Sequence, residues 1–163
     1  SVWATKRWPA ESFGALAKKI HDELGYSILL VGSNDDVERA IAKKVMESAS
    51  GARMLDLTGK TNLGELKAVL GRCEIVVSND SSPLHIGLAL GKKAVAIFGP
   101  TTKSLGFFPY APEGRSAVVE HQNLGCRPCG LHGHHQCPQR HFRCMLEVSV
   151  DSVFNEVKKL LCP

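Results

Sequence analysis

Three turns carry residue types that could hold a phosphate, and one loop carries types that could hold a metal. Asp80-Ser81-Ser82 stands where an apolar run, Glu74–Ser78, hands over to a helical pattern over Ser81–Leu90. The start of a helix has unsatisfied N–H groups and the positive end of the dipole, so it attracts anions. The two serine hydroxyls add donors. His85 follows Ser81 by four residues, on the same side of the helix. It suits a donor to a phosphate or a ribose hydroxyl, and equally a satisfied interior histidine. Thr5-Lys6-Arg7, just before Trp8-Pro9, puts two cations and a hydroxyl ahead of another helix. That is a pyrophosphate grip or an ordinary basic loop. Gly99-Pro100-Thr101-Thr102 ends another apolar run and offers hydroxyls and backbone amides.

The loop is CRPCGLHGHHQCPQRHFRC, with Cys126, Cys129, Cys137 and Cys144 interspersed with His132, His134, His135 and His141. Thiolate and imidazole ligands suit tetrahedral zinc. The spacing lacks the second CxxC of a zinc ribbon, so no metal is asserted. A structural metal or iron–sulfur centre, reduced packing thiols and a disulfide all remain open.

These turns need strands and helices to place them. A helix is expected over Ala10–Leu24, with Phe13, Leu16, Ala17, Ile20 and Leu24 inward and Gly25 after its end. Ser27–Val31 reads as a strand buried on both faces. Gly32-Ser33-Asn34-Asp35 opens a second helix with Val37, Ile41 and Val45 on one face. Arg53–Leu57 is a short strand. Asn62 caps a third helix that carries Leu63, Leu66, Val69 and Leu70 and closes at Gly71. Glu74–Ser78, Ala94–Phe98 and Ser116–Glu120 complete the strands. Ser81 or Ser82 caps the fourth helix, with Pro83 in its first turn, and Ser149 caps a final helix over Val150–Leu161. Alternating apolar strands and amphipathic helices predict α/β architecture, a Rossmann-like doubly wound parallel sheet. Ligands of such sheets bind at the carboxyl ends of the strands, where these turns lie.

The chain has 163 residues, 44% hydrophobic and 22% charged, which suits one globular domain over 1–163 with a Cys/His-rich loop at 121–146. No run is long enough to span a membrane, and no export signal is visible. Cys73 and Cys162 stand in apolar surroundings, and all six cysteines read as reduced thiols or metal ligands. The formal charge of +4 suits a phosphate-bearing ligand or a plain basic surface. Only 6% of residues are aromatic and no Lys/Arg run is dense, which counts against a zinc-stabilised nucleic-acid module. GxxxxGK[ST], a GxGxxG after a strand, and GxSxG are all absent.

Taken in order, ATKRWPAESFGALAKKI, LVGSNDD, LTGKTNLGELKAVL, SNDSSPLHIGLALGKKAVAIFGPT and CRPC…CP…H…CM resemble glycosyltransferase family 9, the ADP-heptose:lipopolysaccharide heptosyltransferases of the heptosyltransferase II type. The resemblance covers nearly the whole chain and matches the family's carboxyl-terminal, donor-binding half. It implies a GT-B architecture and inverting transfer of heptose from ADP-heptose to a lipopolysaccharide core acceptor. It implies that Lys6, with Thr5 beside it, grips the donor pyrophosphate and stabilises the leaving group. Asp80, Ser81 and Ser82 match the phosphate-holding turn, and His85 the histidine after it. Lys60, Thr61 and Leu63 match the segment beside the adenine. Ser82 stands where the family usually has Gly. Asp35, Asp36 and Glu38 compete for the ribose-contacting acid.

The resemblance further implies no required cofactor, and a cytoplasmic enzyme with peripheral contact to the inner membrane left open. The chain begins at Ser1, so it reads as a piece lacking the first strand and the amino-terminal domain with the acceptor site and general base. Such a piece alone is expected to be inactive. A GT-B-like UDP-sugar epimerase, or a transferase using another nucleotide sugar, is the alternative.

Overall fold

The apolar runs become parallel strands and the amphipathic stretches become helices in a computed structural model that describes residues 1–162. The chain is α/β throughout. It divides into two compact units, Pro9–Val69 on the one hand and Ser1–Trp8 with the chain from Leu70 onward on the other.

In the Pro9–Val69 unit, α1 runs Ala10–Leu24 and stops at Gly25, whose φ of 74° is left-handed. That geometry favours glycine because a Cβ there is strained. α2 runs Asp36–Ser48, capped by Asp35, whose side chain accepts from the Glu38 amide at 2.9 Å. The two helices pack backbone-close: a Cβ on Gly14 would lie 2.4 Å from the Ser48 Cβ. The buried positions of α2 are Ala42 and Val45, with Ala49 following. Of the expected face, Val45 is buried, Ile41 is half-buried and Val37 is exposed. The close approach is at Gly14, where a Cβ would also stand 2.7 Å from the Val45 carbonyl.

Strands β1 (Ile28–Leu30) and β2 (Met54–Asp56) pair in parallel, with Leu29 opposite Leu55. The expectation that β1 is buried on both faces does not hold. Side chains alternate across a strand, and Leu29 and Leu55, on one face, are 39% and 54% exposed. The alternate positions, Ile28, Leu30, Met54 and Asp56, are half-buried. α3 spans Leu63–Gly71 behind a reciprocal cap: the Asn62 side chain accepts from the Glu65 amide at 3.0 Å, and Glu65 accepts from the Asn62 amide at 2.8 Å.

In the other unit, β3 (Ile75–Asn79), β4 (Lys93–Phe98) and β5 (Ser116–Glu120) form one parallel sheet in the order β3-β4-β5. The five strands thus lie in two hydrogen-bonded sheets, both parallel. α4 (Ser82–Ala89) crosses from β3 to β4. It lies close on the sheet, since a Cβ on Gly87 would stand 2.8 Å from Val76 Cγ2. Leu84, Ala94, Ala96 and Phe98 form the core beneath it. Removing Leu84 and Phe98 from water contributes about 1.5–3 kcal/mol each. α5 (Arg143–Leu146) buries Cys144 and Met145. α6 (Val150–Leu161) starts at Ser149, whose hydroxyl accepts from the Ser152 amide at 3.1 Å, and packs Val153, Phe154, Val157 and Leu160 inward.

Among the described residues, no helix is long and apolar enough to cross a membrane.

Candidate functional site

Parallel pairing puts the carboxyl ends of β3 and β4 side by side, with Asn79 opposite Ile97. The next residues, Asp80 and Gly99 to Thr101, therefore share one edge of the sheet. The Thr101 hydroxyl donates to Asp80 Oδ2 at 2.9 Å. Lys6 Nζ donates to the same oxygen at 2.5 Å. The two side chains are only 10% and 5% exposed, so this is a buried ion pair. Removing one partner of such a pair leaves an uncompensated charge and costs about 3–5 kcal/mol.

Lys6 reaches Asp80 because its whole segment is pinned. Residues Ala4–Lys6 form a 3-10 turn. The Trp8 amide donates to Asn79 Oδ1 at 3.1 Å, and its buried indole N–H donates to the Val148 carbonyl at 3.0 Å. Thr5 exchanges three hydrogen bonds with His134. Its amide and hydroxyl donate to the His134 carbonyl at 3.1 and 2.9 Å, and its hydroxyl accepts from the His134 amide at 2.8 Å. The one O–H of Thr5 is thereby committed within the protein. Arg7, the second cation, donates to the carbonyls of Ser1 and Val2.

The turn after Asp80 differs in detail from the sequence reading. Ser81 holds the cap position of α4, but its hydroxyl makes no cap. It lies 3.0 Å from the Ser78 hydroxyl instead. The first turn of α4 therefore has no side-chain cap, and Pro83 brings no N–H of its own. Ser82 is exposed and does not have the positive φ that would require glycine, so its Cβ carries no backbone strain. His85 is exposed, which removes the interior-histidine reading.

Lys60 and Thr61 belong to the other unit. There Lys60 Nζ donates to the Asp56 carbonyl at 2.8 Å. In the same unit Asp35 caps α2 and accepts from Ser33 Oγ, and Glu38 Oε2 accepts from the Ser33 amide at 2.6 Å. Asp36 is exposed in the first turn.

The Cys/His loop packs on the same edge as Lys6. All six cysteines are free thiols. Cys126 Sγ lies 3.9 Å from His141 Nε2, and the Cys129 thiol donates to the Cys126 carbonyl at 3.0 Å. No group of three or more His, Cys, Asp or Glu among the described residues could hold a metal ion. Cys144 is buried, and Cys162 is exposed rather than in apolar surroundings. Burial pushes the Cys144 thiol up to about 11, and the neighbouring sulfurs Cys129, Cys137 and Cys126 add to the shift while Arg127 opposes it.

Sequence reasoning missed Asn79, Trp8 and Arg127 as positioning groups. Arg127 sits inside the CxxC spacing, and that residue type in that place is the only signal.

Two outcomes follow. Lys6→Met and Asp80→Asn should each destabilise the protein by about 3–5 kcal/mol in urea unfolding, with the double variant recovering much of that loss; additive losses would contradict the buried pair. At pH 8, iodoacetamide should alkylate Cys144 roughly 100-fold more slowly than an ordinary cysteine, on thiolate fraction alone. Mass spectrometry should show exposed Cys162 modified first, and equal rates would contradict the burial of Cys144.

Comparisons with known proteins show the family and the fold. The family model described as glycosyltransferase family 9 (heptosyltransferase) matches residues 1–137. Lipooligosaccharide heptosyltransferase 2 of Campylobacter jejuni serotype O:6 is 30% identical over 166 residues, covering 100% of this chain and 49% of that protein. Lipopolysaccharide heptosyltransferase 2 of Escherichia coli K12 is 35% identical over 100 residues, covering 60% of this chain and 28% of that protein. The solved glycosyl transferase family 9 protein from Veillonella parvula superposes with a TM-score of 0.76 at 28% identity, over 99% of this chain and 44% of that one. The E. coli ADP-heptose lps heptosyltransferase II structure has the same fold, with a TM-score of 0.75 at 24% identity over 99% of this chain and 44% of that one. The chain spans about half the length of the Campylobacter relative. It belongs to glycosyltransferase family 9.

Proposed function

We propose that this chain is the donor-binding half of a heptosyltransferase that transfers heptose from ADP-heptose to a lipopolysaccharide core acceptor. The observation that carries the reading is the buried Lys6–Asp80 pair, fixed two residues ahead of a helix whose first turn has no side-chain cap. The family of the chain and the printed names of its relatives support it.

The chemistry follows from where charge develops. An acceptor hydroxyl attacks the anomeric carbon, the bond to the ADP oxygen breaks with inversion, and negative charge collects on the departing pyrophosphate. Lys6 and the amides at the start of α4 stabilise that charge. Removing one such donor costs roughly 3 kcal/mol of barrier. Asp80 is a carboxylate and repels phosphate. Its part is to hold Lys6, which enters the site with its position already fixed. Ser82 and His85 are exposed and serve as donors to the phosphates or ribose, and half-buried Ser81, whose hydroxyl lies against Ser78, contributes through the start of α4. Thr5 contributes by anchoring the turn, since its hydroxyl is committed to His134.

In this reading the positive charge comes from the protein, and the reaction invokes no metal or other cofactor. The general base that takes the acceptor proton lies outside this chain, so the chain alone binds donor without turning it over. The work is cytoplasmic, where nucleotide sugars are made.

Calorimetric titration with ADP and with UDP tests the proposal. ADP should bind more tightly than UDP, and Lys6→Ala should weaken ADP by about 100-fold if the donor is worth the usual charge-assisted contact. Preference for UDP would contradict the donor assignment. ADP binding unchanged in Lys6→Ala would contradict the role of Lys6.

A further inference from the structure

The Cys/His loop closes a ring of contacts around Lys6. Lys6 Nζ meets Asp80 Oδ2, and Thr101 Oγ1 meets the same oxygen. The backbone carbonyl of Thr101 accepts from Arg127 Nη2 at 2.9 Å. Arg127 Nε donates to the Gly99 carbonyl at 2.5 Å, Nη1 to the His121 carbonyl at 2.5 Å, and Nη2 also to Glu120 Oε2 at 2.6 Å. Two residues on, the Cys129 amide donates to the Pro100 carbonyl at 2.9 Å. The Cys129 carbonyl lies 3.0 Å from His134 Nε2. His134 binds Thr5, and Thr5 is the neighbour of Lys6. Gly133 seats the tip of the loop against the same turn: a Cβ there would meet Thr5 Oγ1 at 3.2 Å and Lys6 Cγ at 3.4 Å.

We propose that Arg127 is a positioning residue that sets the Lys6–Asp80 pair for binding a diphosphate, acting through the Gly99–Thr101 turn. Arg127 does not itself contact the ligand. Its side chain is 7% exposed, and four hydrogen bonds engage four of the five N–H groups of its guanidinium. Glu120 neutralises its charge. What it fixes is the backbone on which Thr101 stands. Thr101 in turn holds the carboxylate that both it and Lys6 address, so a shifted turn lets Asp80 rotate and carries the ammonium with it. Small misplacements of a positioned group are costly in binding and catalysis. The planar fork is needed for this, because a lysine ammonium cannot reach three carbonyls and a carboxylate in those directions.

The proposal rests on the reading that Lys6 meets a nucleoside diphosphate, and the test separates the two. ADP and adenosine are titrated against the intact protein and against Arg127→Lys, Thr101→Val and Lys6→Ala. Thr101→Val removes the hydrogen bond to Asp80 at nearly constant volume, and so serves if Arg127→Lys does not fold. ADP affinity should fall about tenfold or more in Arg127→Lys and Thr101→Val, with adenosine affinity unchanged. Parallel loss of ADP and adenosine affinity would mean a merely structural role and overturn the proposal. ADP affinity lowered in Lys6→Ala but retained in the other two overturns the proposal alone. ADP affinity retained in Lys6→Ala overturns the reading of the site and the proposal with it.

Discussion

A lysine ammonium and an aspartate carboxylate, 74 residues apart in sequence, meet at 2.5 Å where neither is much exposed to water. Taking two such charges out of water costs several kcal/mol per ion, which their attraction offsets only with good geometry and further hydrogen bonds. Thr101 supplies one of those bonds. Trp8, with its indole bonded to Val148 and its amide to Asn79, keeps the Lys6 segment from moving away. Among the described residues no buried side-chain nitrogen or oxygen lacks a partner. Much of the local structure serves to keep this pair together.

That geometry also decides what the pair can do. A free lysine on a loop would lose side-chain entropy on meeting an anion. Lys6 has lost it already, because Asp80 holds it. In the proposed function this is preorganisation: the ammonium would stand in place before charge develops on the leaving group. Asp80 lies inside the turn, while Ser82 and His85 are exposed. The residues of one short turn thus divide between buried and exposed.

The architecture was legible because strand and helix signals agreed along the chain. Val150–Leu161, Ala10–Leu24 and Ser116–Glu120 have the predicted bounds, and the Asn62 and Ser149 caps form as the sequence suggests. Burial was less legible. Ser27–Val31 looks like a strand enclosed on both sides, yet Leu29 is exposed, because an apolar run does not say what covers each face. On α2, Val45 is buried as the pattern suggests, but Ala42 and Ala49 are buried where Val37 is exposed and Ile41 half-buried. At the site, Lys6 and the Asp80 turn stood out by type. Their pairing did not, since nothing local in TKRW points to a partner 74 residues on. The pattern offers Ser81 or Ser82 as the cap of α4, but Ser81 holds the cap position and its hydroxyl turns to Ser78. Arg127 was hidden among cysteines that drew attention to metal chemistry.

The most direct test is a crystal structure of the protein with ADP. The account predicts phosphate oxygens about 3 Å from Lys6 Nζ and from the first amides of α4, with the Lys6–Asp80 contact retained. ADP seated elsewhere, or a Lys6 that turns away from the phosphates while still paired to Asp80, would contradict it.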